Sequence, residues 1–186
     1  MVIFRMNSFI LFSILILIFL SSVYDIKYRR IPNFITFPSI LIGIIYHSYT
    51  SSFNGFLFSI LGTIMGIGLL ILLYFLGMMG AGDVKLLGAV GSFIGAKSVF
   101  ISFLYTAVVG GIYALSIIIL YKSKYKGFLK NFYYRGVNFA VTRKFVSFDN
   151  EEDVRQRPKL CYGLAIAAGT GIFMICTAAG IKVLPL

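Results

Sequence analysis

Apolar runs long enough to cross a bilayer follow one another along almost the whole chain, beginning with "FILFSILILIFLSSV" at residues 9–23. A helix needs about 20 such residues to cross about 30 Å of hydrocarbon. In lipid every backbone amide and carbonyl must find a partner within the chain, which leaves helices or closed barrels as the spanning structures. The runs are read as helices by their length. With 59% hydrophobic and 12% charged residues among 186, there is no hydrophilic stretch large enough for a separate soluble domain. The expected fold is all-α: a single polytopic membrane domain, 1–186, with about six transmembrane helices near 7–24, 33–50, 55–76, 84–96, 98–121 and 161–181. The fourth is short for a crossing and must tilt, extend into its flanks or sit where the bilayer is thin.

Lysine and arginine orient these helices. Lys27, Arg29, Arg30, Lys85 and ten residues of 122–160 fall on one side, against Arg5, Lys97 and Lys182 on the other. The positive-inside rule then places 25–32, 77–85 and 122–160 in the cytoplasm and both termini outside. The net charge of +11 belongs mainly to that face, where anionic lipid headgroups attract it. A topogenic signal accounts for the charge, and no nucleic-acid partner is expected. The loop 122–160 reads as a cytoplasmic connection, partly an interfacial amphipathic helix, carrying the acidic knot "DNEED". Residues 1–22 have the outline of a signal peptide, but the basic residues just beyond oppose translocation and no A-x-A site follows.

Metal and nucleotide chemistry find no ligands. Cys161 and Cys176 form no CxxC pair and read as small packing residues, and the single histidine, His47, reads as interfacial. No Walker A or complete GxGxxG motif occurs, and no cofactor or metal is expected. GxxxG spacings at Gly62/Gly66 and Gly91/Gly95 mark faces where helix backbones approach closely.

The acids are few. Asp149, Glu151, Glu152 and Asp153 lie in the loop knot, leaving only Asp25 and Asp83, both at ends of apolar spans on the cytoplasmic side. A carboxylate at that level is costly without a partner or a task. If the helices carrying them pack together, two carboxyls in hydrogen-bond reach share one proton. One can then act as base on a water attacking a peptide carbonyl while the other donates to the carbonyl oxygen. Gly80 and Gly82 would let the backbone bend and approach a substrate strand. The plainer alternatives are an N-cap for Asp83 and an interfacial residue for Asp25. Two other classes stay open: a small proton-coupled transporter using both acids as relay sites, and an assembly scaffold in which both are structural.

Three stretches together resemble a known family. "YDIKYRRIPNFITFP" places Asp25 before a basic turn and Ile-Pro-Asn, "GAGDVKLLGAVGSFIG" holds Asp83, and "KLCYGLAIAAG" opens the last span. In this order they resemble the type IV prepilin peptidases, the intramembrane GxGD aspartyl proteases, over residues 20–181. The resemblance implies a six-helix enzyme of the cytoplasmic (inner) membrane. It would cut the basic leader from prepilin or pseudopilin precursors at the cytoplasmic face, usually after a glycine preceding the hydrophobic helix. Asp25 and Asp83 match the family's two catalytic aspartates, and Gly80 and Gly82 its motif glycines. Lys85 is typical of the motif, with no chemical step assigned to it. Presenilin-like proteases share GxGD and a Tyr-Asp pair, but are larger and lack the Ile-Pro-Asn context. The chain departs from full-length bacterial members in lacking the CxxC-bearing segment between the first two spans, so the resemblance implies a peptidase without the methylating function. It departs again where Leu164 follows Gly163, with Pro158 lying earlier. This short form looks most like the peptidases of Flp/tight-adherence pili or of archaeal preflagellins. No oligomeric state follows from the sequence.

Overall fold

The computed structural model describes residues 7–76, 79–120 and 162–179. The loop 122–160, its acidic knot and Cys161 lie outside the described residues. Within them the fold is all-α, with four helices: α1 (Ser8–Tyr28), α2 (Asn33–Phe75), α3 (Ala81–Leu120) and α4 (Tyr162–Ala178). Three of these, α1, α2 and most of α3, are long and apolar enough to cross a membrane, where the sequence predicts six spans. Compactness divides the chain into a body of residues 1–110 and 161–186 and a second unit, 111–160. The described part of the second unit is the last stretch of α3, where the Ser116 hydroxyl donates to the Ile112 carbonyl.

The difference in span number has a local cause: α2 and α3 are each interrupted. In α2, Ser51 (φ −135°, ψ 19°) and Ser52 (φ 50°, ψ −134°) leave helical geometry. Gly43 and Ser59 lie on either side of this break, and a straight helix would hold them about 24 Å apart. Both meet Ser92: a Cβ on Gly43 would stand 2.9 Å from the Ser92 Cβ, and the Ser59 hydroxyl donates to the Ser92 carbonyl at 2.8 Å. The chain therefore folds back at Ser51–Ser52. Gly95 interrupts α3 with φ 79° and ψ 171°, a backbone region open essentially to glycine alone.

That second break leaves carbonyls at the end of 81–94 without their intrahelical donors. Polar side chains from both halves of α2 supply them. Ser59 donates to Ser92, and His47 Nε2 donates to the Phe93 carbonyl at 2.9 Å. His47, read in the sequence only as interfacial, is thus buried within the chain and bonded to its backbone.

The short stretch 81–94 forms the centre of the body. Leu86, Leu87, Val90, Phe93 and Ile94 are fully buried among Ile14 and Leu17 of α1, Leu70 of α2 and Ile166 of α4. Its glycines set the spacing. Gly62 packs on the Gly91 backbone and Gly66 on Leu87 and Gly88, so the two GxxxG faces meet each other. On the other side, Ser102 and Thr170 share a hydrogen bond of 3.1 Å, and Gly169 lies against the Thr106 backbone, which joins α3 to α4.

Candidate active site

Asp25 sits in the last turn of α1, which ends where Arg29 takes the left-handed conformation (φ 52°, ψ 32°) and its amide closes onto the Asp25 carbonyl at 2.8 Å. Ile31 and Pro32 then carry the chain into α2, with Pro32 as the N-cap rather than the first helical residue. α1 extends beyond the expected boundary at 24, so Asp25 lies on regular helix and its direction is fixed.

Asp83 is held differently. α3 starts at Ala81, which makes Gly80 the residue before the helix and Asp83 its third position. The Asp83 carboxylate accepts from the Gly80 amide at 3.2 Å, and the Asp83 amide donates to the Gly80 carbonyl at 3.2 Å. This is the reciprocal half of a capping box, in which an acid at the third position reaches back to the amide preceding the helix. Asp83 is therefore not the N-cap itself.

The structure brings the two acids together. Both line one cleft of about 450 Å³, with Arg29, Arg30, Asn33 and Gly80 among its other walls, and each carboxyl lies within electrostatic reach of the other. Asp25 is 6% and Asp83 9% exposed, so each is buried apart from the side it presents to this cleft. Lys85 stands at the rim. Its ammonium donates to Asn33 Oδ1 at 2.9 Å and lies 5.0 Å from the Phe37 ring centroid, tying the start of α2 to the start of α3.

The two motif glycines differ in what they do. A Cβ on Gly82 would stand 3.0 Å from the Ile31 Cβ and 3.2 Å from the Ile31 amide nitrogen, so the residue lets α3 approach the turn after α1. At Gly80 a Cβ would meet only the Asp83 carboxylate, at the ordinary distance of 3.5 Å. Its contribution to the resting site is its amide.

A third glycine, to which sequence reasoning gave no role, is closer to the chemistry than either. The Gly163 amide, in the first turn of α4, donates to Asp25 Oδ2 at 2.9 Å, with the Leu164 amide also directed at that carboxylate. Helix N-termini expose unpaired amides and the positive end of the helix dipole, so a carboxylate is their natural partner. Asp25 in effect caps a helix 138 residues away. Tyr162, next to Gly163, lies within electrostatic reach of Asp83 and packs against Gly110. Asp83 and Gly110 would be about 40 Å apart on a straight helix, so their shared neighbour also requires the reversal at Gly95. The signal available in the sequence was the Tyr-Gly pair opening the last apolar run.

Chemically, two carboxyls from separate helices, one braced by helix amides and the other by a capping turn, face one cleft of about 450 Å³. No curated protein and no solved structure matches the chain. A family model described as the type IV leader peptidase family matches residues 9–115, which contain both aspartates and both motif glycines. Matched over more than half its length, and with that model's stretch carrying the two acids that share the cleft, the chain belongs to the type IV leader peptidase family.

Proposed function

We propose that this member of the family is an intramembrane aspartic endopeptidase that removes the basic leader of type IV pilin-like precursors, of the Flp/tight-adherence type, with Asp25 and Asp83 as its acid and base. The observation that carries the reading is the common cleft, which joins two of the chain's six acids from positions 58 residues apart.

The mechanism follows from a shared proton. In this reading one carboxyl is ionised and its neighbour protonated in the ground state, since each lies within the other's electrostatic reach and like charges oppose a second ionisation. The ionised member takes a proton from water as the oxygen attacks the scissile carbonyl, and the protonated member donates to the carbonyl oxygen. Proton return to the amine nitrogen then lets the C–N bond break. The amides of Gly163 and Gly80 hold the two carboxyls in position through this exchange, a task suited to groups fixed at helix starts.

In the same reading the chain crosses the membrane six times, with the cleft facing the cytoplasm. α2, at 43 residues, would be about 64 Å long if straight, twice the hydrocarbon thickness, and its fold-back at Ser51–Ser52 supports two crossings. Gly95 does the same for α3. The excess of Lys and Arg around the cleft supports its cytoplasmic side.

Co-expression with a Flp-type precursor in a host lacking such peptidases tests this reading. Intact mass should show the leader removed after the glycine that precedes the hydrophobic helix. An uncleaved precursor, with acid-dependent proton flux in vesicles instead, would replace the peptidase with the relay transporter.

A further inference from the structure

Ser21 lies on α1 one turn before Asp25, on the face that also buries Ile14 and Leu17. It is fully buried, and its hydroxyl has no hydrogen-bond partner among the described residues. Every other buried serine and threonine among those residues has one. A helical serine has a ready remedy in a carbonyl one turn back: Ser22, the next residue, donates to Ile18 at 2.7 Å, and Ser39 donates to Ile35 at 2.7 Å. The Ser21 hydroxyl does not take it.

A buried hydroxyl without a partner costs stability, and alanine would occupy the same small space at no such cost. Close packing therefore explains a small residue at this position but not its oxygen. The residue one turn on supplies a use. Helical Cα–Cβ bonds tilt towards the N-terminus, so the Asp25 side chain leans over the turn that carries Ser21. Cβ atoms four residues apart on a helix stand about 5–6 Å from each other, a gap that a hydroxyl and a carboxyl close by rotating about their side-chain bonds.

The contacts of Asp25 with α4 serve one of its two protonation states. The Gly163 amide donates to the carboxylate, with the Leu164 amide directed at it, but an amide N–H cannot accept the proton that Asp25 carries in the other half of the exchange. A hydroxyl both donates and accepts. We infer that Ser21 is a positioning residue for Asp25, its hydroxyl donating to the carboxyl when that is ionised and accepting from it when that is protonated during turnover. The inference rests on the peptidase reading above. The hydroxyl left unpaired at rest is then the stability given up to keep that partner at hand.

Ser21→Ala tests the inference in proteoliposomes containing the full chain and a full-length precursor, beside the parent and Ser22→Ala. Cleavage is followed by intact mass, and thermal unfolding is measured on the same proteins. The expected result for Ser21→Ala is a kcat lowered about tenfold, with KM within about threefold of the parent and a thermal midpoint equal to or above the parent's. Ser22→Ala, which removes a hydroxyl already bonded within its own helix, should keep the parent's kcat. A purely structural Ser21 predicts the same stability result with no loss of kcat. Parental kcat in Ser21→Ala, a loss confined to KM, or a lowered thermal midpoint would overturn the positioning role and leave the peptidase standing. Absence of cleavage by the parent would overturn both.

Discussion

Gly163→Ala probes how tightly the site depends on the start of α4. An ideal Cβ there would stand 2.8 Å from Asp25 Oδ2, 3.1 Å from its Cγ and 3.1 Å from the Ile31 Cδ1. Ordinary contact requires about 3.4 Å, so the carboxyl must retreat by about 0.6 Å, into the cleft. The same movement stretches the 2.9 Å bond from the Gly163 amide to the limit of hydrogen bonding. A hydrogen bond to a charged group contributes about 1.5–3 kcal/mol, and a misplacement of about 1 Å at a reacting group lowers rates by about a hundredfold. The expected outcome is a kcat for precursor cleavage reduced about 10- to 100-fold, with KM within about threefold of the parent, since the loss falls on a group that acts in the transition state. Gly80→Ala is the matched comparison: its Cβ meets Asp83 only at 3.5 Å, so kcat should stay within about threefold and any loss should appear in KM. The assay is cleavage of a purified precursor in proteoliposomes, read by intact mass. A Gly163→Ala protein with the parent's kcat would refute the argument, because Asp25 would then not need the position this glycine gives it.

Other outcomes follow from the same geometry. Gly95→Ala should destabilise the fold by about 2–4 kcal/mol in thermal or denaturant unfolding, because alanine resists φ 79° and its Cβ would enter the Phe58 ring. Ser52→Gly should stabilise it by about 1 kcal/mol in the same measurement, since φ 50° with ψ −134° strains any residue with a Cβ. The pH profile of kcat/KM should be bell-shaped: activity falls on the acid side as the second carboxyl takes a proton, and on the alkaline side as the shared proton is lost. A profile flat on either side would remove one of the two roles.

The site was legible in the sequence through scarcity. With four of six acids in one knot, Asp25 and Asp83 stood out, and the apolar segmentation put both at one membrane level. The structure adds that they line one cleft. The segment boundaries near 50 and 96 fall at the breaks at Ser51–Ser52 and Gly95, because polar or small residues interrupt the apolar runs there. The contacts that fix each carboxyl were less accessible. Asp83 looked like an N-cap because its place relative to the helix start depends on one residue of phase, and the helix begins at Ala81. The bond from Gly163 to Asp25 joins residues 138 apart, and no local pattern announces such a pairing. The partner of His47 was hidden because only the break at Gly95 creates the carbonyl that it satisfies.

The central claim is that Asp25 and Asp83 work as one pair, and the most direct measurement compares single-turnover cleavage of a Flp-type precursor by the parent, Asp25→Asn and Asp83→Asn proteins in the same proteoliposomes, beside the double variant. The account predicts that each single change removes nearly all cleavage, that the double change costs little more than either alone, and that all three variants keep the parent's thermal stability to within about 2 kcal/mol. Cleavage that survives either asparagine substitution at more than about a tenth of the parent rate would contradict it.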